Sequence, residues 1–293
     1  MGINVEDIFI SSRLNPDINI TNFIEPYFYS KYLPYLEFRI ADHCNMNCSA
    51  CAEFSGLVEE KKFPVFENFA KDMERLSNFI DDIWQIRILG GEPLLNPEIN
   101  RYIELTRKFY PQALIHVVTN GLILDKMPED FFNTLRKNNV TVVISLYKPL
   151  ENRILDIINF LEERNITYMV NPYSPDPKKP IEKFFKNQSL LPKNDPIRMF
   201  WNCNSNTCRD LWQGKITTCY KVSAIKFFND YFNKNIPTDC GFLDLYSEDL
   251  TTEKIKRLMV TPFELCRYCT AYTWVDWKRI ELPSPITDWI NDT

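Results

Sequence analysis

Between residues 36 and 171 the apolar positions switch repeatedly between a period of two and a period near 3.6. LEFRI (36–40) alternates apolar and polar residues, as a half-exposed strand does. After a cysteine-bearing loop, Phe66, Phe69, Met73, Leu76, Phe79 and Ile83 recur at helical spacing. WQIRIL (84–89) predicts the second strand. Asn96-Pro97-Glu98 is a helix start, with a capping side chain, a proline at the first position and then an acid. Ile99, Tyr102, Ile103 and Phe109 follow on one face. LIHVV (114–118) predicts strand three, and Pro128 opens a helix carrying Phe131, Phe132 and Leu135. TVVISL (141–146) predicts strand four. A helix with Ile154, Ile158 and Leu161 then leads to ITYMV (166–170). Five strands alternating with four helices imply parallel, right-handed βαβ units. The stretch is too short for a closed eight-fold barrel. The expected class is α/β: a partial (β/α) barrel of about five parallel strands.

The pattern breaks at residues 172–200, where six prolines fall, and these residues are expected to form a linker or lid-like excursion. Beyond Cys203 the elements are shorter. GKITTCY has the form of a β-hairpin, with a turn glycine followed by β-branched residues that deliver Cys219. The expected division is an N-terminal extension (1–34), the barrel core (35–171), the proline-rich linker (172–200), a small C-terminal domain (201–270) and a tail (271–293). The tail tryptophans Trp274, Trp277 and Trp289 read as packing residues.

The chain has 293 residues, of which 45% are hydrophobic, enough for a large buried core. Its net charge is -5, and no basic run exceeds two residues, so nucleic acid is not an expected partner. No apolar stretch approaches the roughly 18 residues of a membrane helix, so no membrane association is expected. MGINVEDIFI lacks a basic leader region and does not read as a signal peptide; a cytoplasmic location is expected. Nine cysteines in a reducing compartment point to metal ligation or catalysis rather than disulfides. With only His43 and His116 available, mixed Cys/His zinc sites are nearly excluded by supply.

In parallel α/β folds the chemistry gathers beyond the carboxyl ends of the strands. Cys44, Cys48 and Cys51 follow strand one with C-x3-C-x2-C spacing. Gly90-Gly91-Glu92-Pro93 follows strand two, Thr119-Asn120-Gly121 strand three, LYKP (146–149) strand four and NPY (171–173) strand five. Three thiolates cap an iron–sulfur cluster and leave one iron open to a ligand that is not protein. Two glycines permit close backbone approach to a ligand, and Glu92 offers a carboxylate suited to an amino group. An alternative for the triplet is a set of buried or zinc-binding thiols.

This arrangement resembles the radical S-adenosylmethionine (SAM) superfamily over residues 36–171. The resemblance implies a 4Fe-4S cluster on Cys44, Cys48 and Cys51, with SAM chelating its fourth iron. It implies that Gly90, Gly91, Glu92 and Pro93 bind SAM, Glu92 through the amino group, and that Asn120 and Ser145 lie near the methionine or ribose. Many members carry an aromatic residue immediately before the last cysteine. This chain has Ala50 there, and Phe54 is the candidate replacement.

The second cysteine set resembles the twitch and SPASM extensions of that superfamily, through the pattern C-x(9–15)-G-x4-C around Gly214 and the CRYC of residues 266–269. The resemblance implies a second, auxiliary 4Fe-4S cluster on Cys219, Cys266 and Cys269, with either Cys203 or Cys208 as fourth ligand; a four-cysteine zinc site is the alternative. Cys240 and the spare cysteine are inert thiols or hydrogen-atom donors of an epimerase. Tyr147, Lys148 and Tyr173 sit past strand ends as candidate acid–base groups. His116 reads as a barrel-lining residue, and His43 as a hydrogen-bonding neighbour of the cluster.

The layout resembles radical SAM dehydrogenases that oxidise an aminocyclitol, and HCNMNC with GGEPLLNPE resembles superfamily members encoded among polysaccharide-assembly enzymes. These resemblances imply hydrogen abstraction from a small carbohydrate-like or cyclitol substrate, giving dehydrogenation or epimerisation, with flavodoxin or ferredoxin as electron donor. Modification of a ribosomally made peptide is the second expectation. It is lowered because about 30 residues before strand one are few for a peptide-binding wing. A non-enzymatic iron–sulfur or zinc scaffold is the third.

Overall fold

The computed structural model describes residues 30–291, apart from Tyr173, Pro175 and Thr207. All five expected strands form: β1 (Tyr32–Arg39), β2 (Asp82–Leu89), β3 (Leu114–Thr119), β4 (Val140–Ile144) and β5 (Tyr168–Val170). Between them lie α1 (Phe66–Ser77), α2 (Ile99–Phe109), α3 (Glu129–Lys137) and α4 (Ile154–Glu163). Adjacent strands of this set pair in parallel, in the order β5-β4-β3-β2-β1. Asn96 caps the approach to α2, its side-chain oxygen accepting from the Glu98 amide at 2.8 Å.

One face of this sheet is covered by the helices. Leu36, Phe38, Ile86, Ile88, Ile115, Val117, Val142 and Ile144 point there and are buried with Met73, Tyr102, Phe131 and Leu161. Burying a side chain of this size contributes about 1.5–3 kcal/mol, so this layer carries most of the fold's hydrophobic stabilisation.

Three more strands continue the same sheet beyond β1. β7 (Asp210–Trp212) pairs in parallel with β1, and β8 (Lys215–Thr217) and β9 (Phe242–Asp244) follow antiparallel. The hairpin expected at GKITTCY is therefore β7–β8, fused to the barrel sheet rather than set apart from it. α6 (Tyr220–Phe232) leaves this hairpin directly and anchors a second core of Phe54, Val222, Phe228, Leu265 and Trp289. α7 (Thr252–Leu258) lies at the amino-terminal strand ends: the Lys256 ammonium donates to the Tyr32 carbonyl, and the Thr252 hydroxyl donates to the Phe79 carbonyl.

The expected linker is partly regular. β6 (Lys183–Gln188) and α5 (Pro196–Trp201) fall inside it, and β6 pairs antiparallel with β10 (Cys269–Asp276) as a separate two-stranded sheet. The prolines misled the reading because they flank the strand: residues 181–191 contain none. Among the described residues no helix is long and apolar enough to cross a membrane.

Candidate active site and auxiliary cysteine site

The loop between β1 and α1 carries Cys44, Cys48 and Cys51. Asn47, Ala50 and Phe54 adopt left-handed backbone conformations (φ 51°, 55° and 53°), which curl the loop tightly enough to turn its thiols inward. The end of β2 is pressed against this loop. A Cβ on Gly90 would stand 2.3 Å from the Ala41 carbonyl oxygen, and one on Gly91 would stand 2.1 Å from that of His43. The Gly91 and Glu92 amides donate to those two carbonyls at 2.8 and 3.1 Å. The glycines thus admit the cysteine loop's own backbone, where the sequence suggested approach to a ligand.

Glu92 is fully buried. Its carboxylate accepts from the Leu94 amide (3.1 Å), the Thr119 hydroxyl (2.7 Å) and the Asn120 amide (2.9 Å). Burial outweighs these donors and raises its pKa to about 7. A carboxylate has about four acceptor positions, so three protein donors leave room for one from a ligand. The Asn120 amide nitrogen donates to the Asn45 side chain at 2.8 Å and lies 3.8 Å from the Cys44 sulfur. Pro93 continues from Glu92 into a short 3-10 turn. The buried thiols of Cys44 and Cys51 are raised to about 12 and about 11, and that of Cys48 is also raised, burial being the chief cause in each. Thiolates here therefore require a cation to compensate them, as a bound cluster supplies.

Tyr147 faces all three cysteines. Its pKa is raised, first by burial and then by the charges of Cys48, Cys51 and Cys44. It hydrogen-bonds Ser145, stacks on Trp277 with ring centres 5.8 Å apart, and meets Phe184 edge-on. Trp277 in turn donates its indole N–H to the Cys48 sulfur at 3.1 Å. The chain after β10 lies along the cysteine loop: the Ser49 amide donates to the Lys278 carbonyl, and the Ile280 amide donates to the Asn47 carbonyl. Arg279 bonds the Asn45 carbonyl. Sequence reading missed this segment, because its only signal was an aromatic residue a long way from the motif.

The inner face of the sheet carries a polar row. Asp210, Glu37, Arg87, His116 and Thr141 stand in register across β7, β1, β2, β3 and β4. Tyr35 donates to Glu37, Arg87 donates to Tyr35 at 3.4 Å, and Gln85 contacts His116 at 2.9 Å. One turn closer to the cysteines, Arg39 pairs with Glu53 and donates to Ser223, which itself donates to Asp210. His116 is therefore barrel-lining, as read. His43 receives the Lys62 amide on Nδ1 and stands beside Phe63.

Four cysteines line one cavity of about 550 Å³: Cys203, Cys219, Cys266 and Cys269. Cys219 caps α6, Cys203 follows α5, Cys266 lies in a 3-10 turn (Glu264–Tyr268), and Cys269 opens β10. Tyr272 lies 3.7 Å from the Cys203 sulfur, and the buried Lys221 ammonium lies 4.0 Å from that of Cys269. Cys208 is elsewhere. Its electrostatic neighbours are Glu37, Arg87 and Glu53 on the inner face of the sheet. Between the two alternatives left by the spacing, the geometry puts Cys203 with the other three. Among the described residues, no three His, Cys, Asp or Glu side chains converge tightly enough for a single metal ion.

Four expected site residues fall away from the cysteine triplet. Phe54 is buried in the second core against Phe228 and Trp289, because its left-handed backbone turns the ring away from the loop interior. Lys148 is solvent-exposed and ion-paired with Glu151, which raises its pKa and keeps it charged. Cys240 is half-buried near Asp239, Glu264 and Cys266, on the auxiliary side of the molecule. Cys208 does not line the four-cysteine cavity. Tyr173 lies outside the described residues. All nine cysteines are free thiols.

Residues 38–168 match the Radical SAM superfamily model. Curated relatives include GTP 3',8-cyclase of Thermodesulfovibrio yellowstonii, 29% identical over 116 residues, covering 39% of this chain and 36% of that one. GTP 3',8-cyclase of Clostridium acetobutylicum is 30% identical over 117 residues, with the same coverage of each chain. The matches thus span about a third of those relatives' length. Among solved structures, BtrN in complex with AdoMet and 2-DOIA aligns with a TM-score of 0.49 at 17% identity, over 82% of this chain and 94% of that one. Native anSMEcpe with bound AdoMet and a peptide aligns with a TM-score of 0.37 at 17% identity, over 47% of this chain and 42% of that one. With the motif residues of 44–51 and 90–93 gathered at the carboxyl edge of the parallel sheet, residues 38–168 carry the sequence match and the motif arrangement of a radical SAM domain.

Proposed function

We propose that this chain is a radical SAM enzyme that removes hydrogen from a small carbohydrate-like or cyclitol substrate and oxidises it. When bound, a 4Fe-4S cluster and SAM supply the 5'-deoxyadenosyl radical that takes the hydrogen atom. The residues fit these groups. Cys44, Cys48 and Cys51 would hold the cluster by three corners. Glu92 has one acceptor position left for the SAM amino group, beside Gly90, Gly91 and Pro93. Asn120 would stand between that carboxylate and Cys44, and Ser145 would hold the Tyr147 phenol toward the same space. A second 4Fe-4S cluster would occupy the cavity of Cys203, Cys219, Cys266 and Cys269.

The observation that carries this reading is the pairing of a three-cysteine group with a separate four-cysteine group in one structure. The first lacks a protein ligand that SAM would replace. The second would be ligated by protein alone and suits acceptance of the substrate's second electron. A flavodoxin or ferredoxin would serve as the electron donor.

The inner sheet face supports a hydroxyl- and amine-bearing substrate. It presents the carboxyl groups of Glu37, Glu53 and Asp210 beside the guanidinium groups of Arg39 and Arg87, a mixed set of hydrogen-bond donors and acceptors. Dehydrogenation is favoured over epimerisation through Cys240, which stands on the auxiliary side. One observation favours epimerisation through a different thiol: Cys208 faces Glu37 and Arg87 on the inner face, where it can hand a hydrogen atom to a substrate carbon.

The test is turnover of the anaerobically reconstituted protein with SAM, dithionite and deuterated aminocyclitols or amino sugars. Deuterium in 5'-deoxyadenosine together with a ketone product supports the reading. An inverted alcohol whose formation is abolished by Cys208→Ala selects epimerisation. Absence of 5'-deoxyadenosine from protein with an intact cluster overturns both and favours a scaffold.

A further inference from the structure

β10 begins at Cys269, an auxiliary ligand in the reading above, and ends at Asp276. The next residue is Trp277, whose indole N–H meets the sulfur of Cys48. The indole is held from three sides. Its ring stacks on Tyr147 at an interplanar angle of 20°. Its own amide donates to the Glu182 carbonyl at 2.7 Å, next to β6. The residues that follow pair with the cysteine loop on either side of Cys48: Lys278 with Ser49, Arg279 with Asn45 and Cys48, and Ile280 with Asn47. Lys278 and Asp288 form an ion pair, and Ser49 bonds the Asp288 carbonyl, so the strap is tied at its far end.

We propose that Trp277 is a positioning residue for the SAM-cleaving cluster: its N–H bond to Cys48 orients that thiolate and raises the cluster's reduction potential. The physical ground is general. Hydrogen bonds to the sulfurs of an iron–sulfur cluster help set its potential, because they stabilise the form with more negative charge on sulfur. A donor aimed at a charged acceptor in a buried site is also among the stronger hydrogen bonds. An indole N–H is donor-only, so it cannot reverse its role. The strand that delivers it also delivers Cys269, so seating of the auxiliary region and tuning of the first cluster are mechanically linked. This inference rests on Cys48 being a cluster ligand.

The test is an EPR-monitored redox titration of the anaerobically reconstituted protein, following the signal that responds to SAM. Trp277→Phe keeps the ring and removes the N–H. Its iron content should match that of the unsubstituted chain. At a fixed poise its ratio of reduced to oxidised cluster should fall about tenfold, equivalent to about 59 mV for a one-electron couple. An unchanged ratio at full iron content overturns the proposal. A second measurement needs no variant: indole-15N-labelled protein should show a nitrogen coupling on the reduced, SAM-responsive cluster by pulsed EPR. Absence of that coupling overturns the contact whatever the variant does. A chain that assembles no SAM-responsive cluster overturns the functional reading itself, and this proposal with it.

Discussion

The two cysteine groups are built in opposite ways. Cys44, Cys48 and Cys51 come from one loop, whose shape is enforced from outside by the glycines of β2 and by the strap after β10. Cys266 and Cys269 share one short motif, but Cys203 and Cys219 reach them only because the hairpin, α5 and β10 pack around one cavity. The first group is a local device with a long-range clamp. The second is assembled by the tertiary fold. The first therefore leaves its signature in one short motif, and the second in scattered spacings that only the folded arrangement resolves into a single set.

The largest expected effect tests the local device. Cys48→Ala should remove about four irons per chain and abolish 5'-deoxyadenosine formation, as read by iron analysis and product assay. Retention of SAM cleavage would mean that the triplet is not the ligand set.

A paired comparison sharpens the second group. Cys219→Ala should lose about four irons while retaining SAM cleavage and losing substrate oxidation, whereas Cys208→Ala should keep its full iron content. Iron loss from the Cys208 variant would reverse the assignment of Cys203.

An intermediate effect is expected at the clamp. A Cβ on Gly91 meets backbone rather than a yielding side chain, at 2.1 Å. Gly91→Ala should cost about 3 kcal/mol, the upper range for overpacking, seen as a Tm fall of roughly 5–10 °C. A Tm within a degree of the parent would show that the loop and β2 are not held so closely.

The strands, the helices and the triplet were legible because each is written in adjacent residues: period-two runs such as LEFRI, the cap at Asn96, and C-x3-C-x2-C. What was hidden depends on contacts remote in sequence. β6 lies between proline clusters that signal irregular chain. Trp277 approaches Cys48 across 229 positions. Cys203 and Cys208 both fit a ligand spacing, and only packing separates them. Phe54 looked available for adenine, but the left-handed conformation that tightens the loop sends its ring into the second core.

A pH-dependent effect is expected on the inner sheet face. Burial and the neighbouring carboxylates of Glu53 and Asp210 raise Glu37 from 4.5 to about 8. The folded chain therefore keeps a proton that the unfolded chain releases. Stability from this group is present at low pH and declines as pH rises from about 5 toward 8, with a slope of at most about 1.4 kcal/mol per pH unit. Glu37→Gln should flatten that part of the denaturation profile. Equal slopes in both proteins would remove Glu37 as its source.

The proposed activity depends most on a cluster at Cys44, Cys48 and Cys51 that has one iron open to SAM. Low-temperature EPR of the reduced, anaerobically reconstituted protein, recorded before and after adding SAM, tests this directly. A shift in the g-values of one cluster signal, absent in Cys48→Ala, is the predicted result. A spectrum unchanged by SAM in protein with full iron content would contradict it.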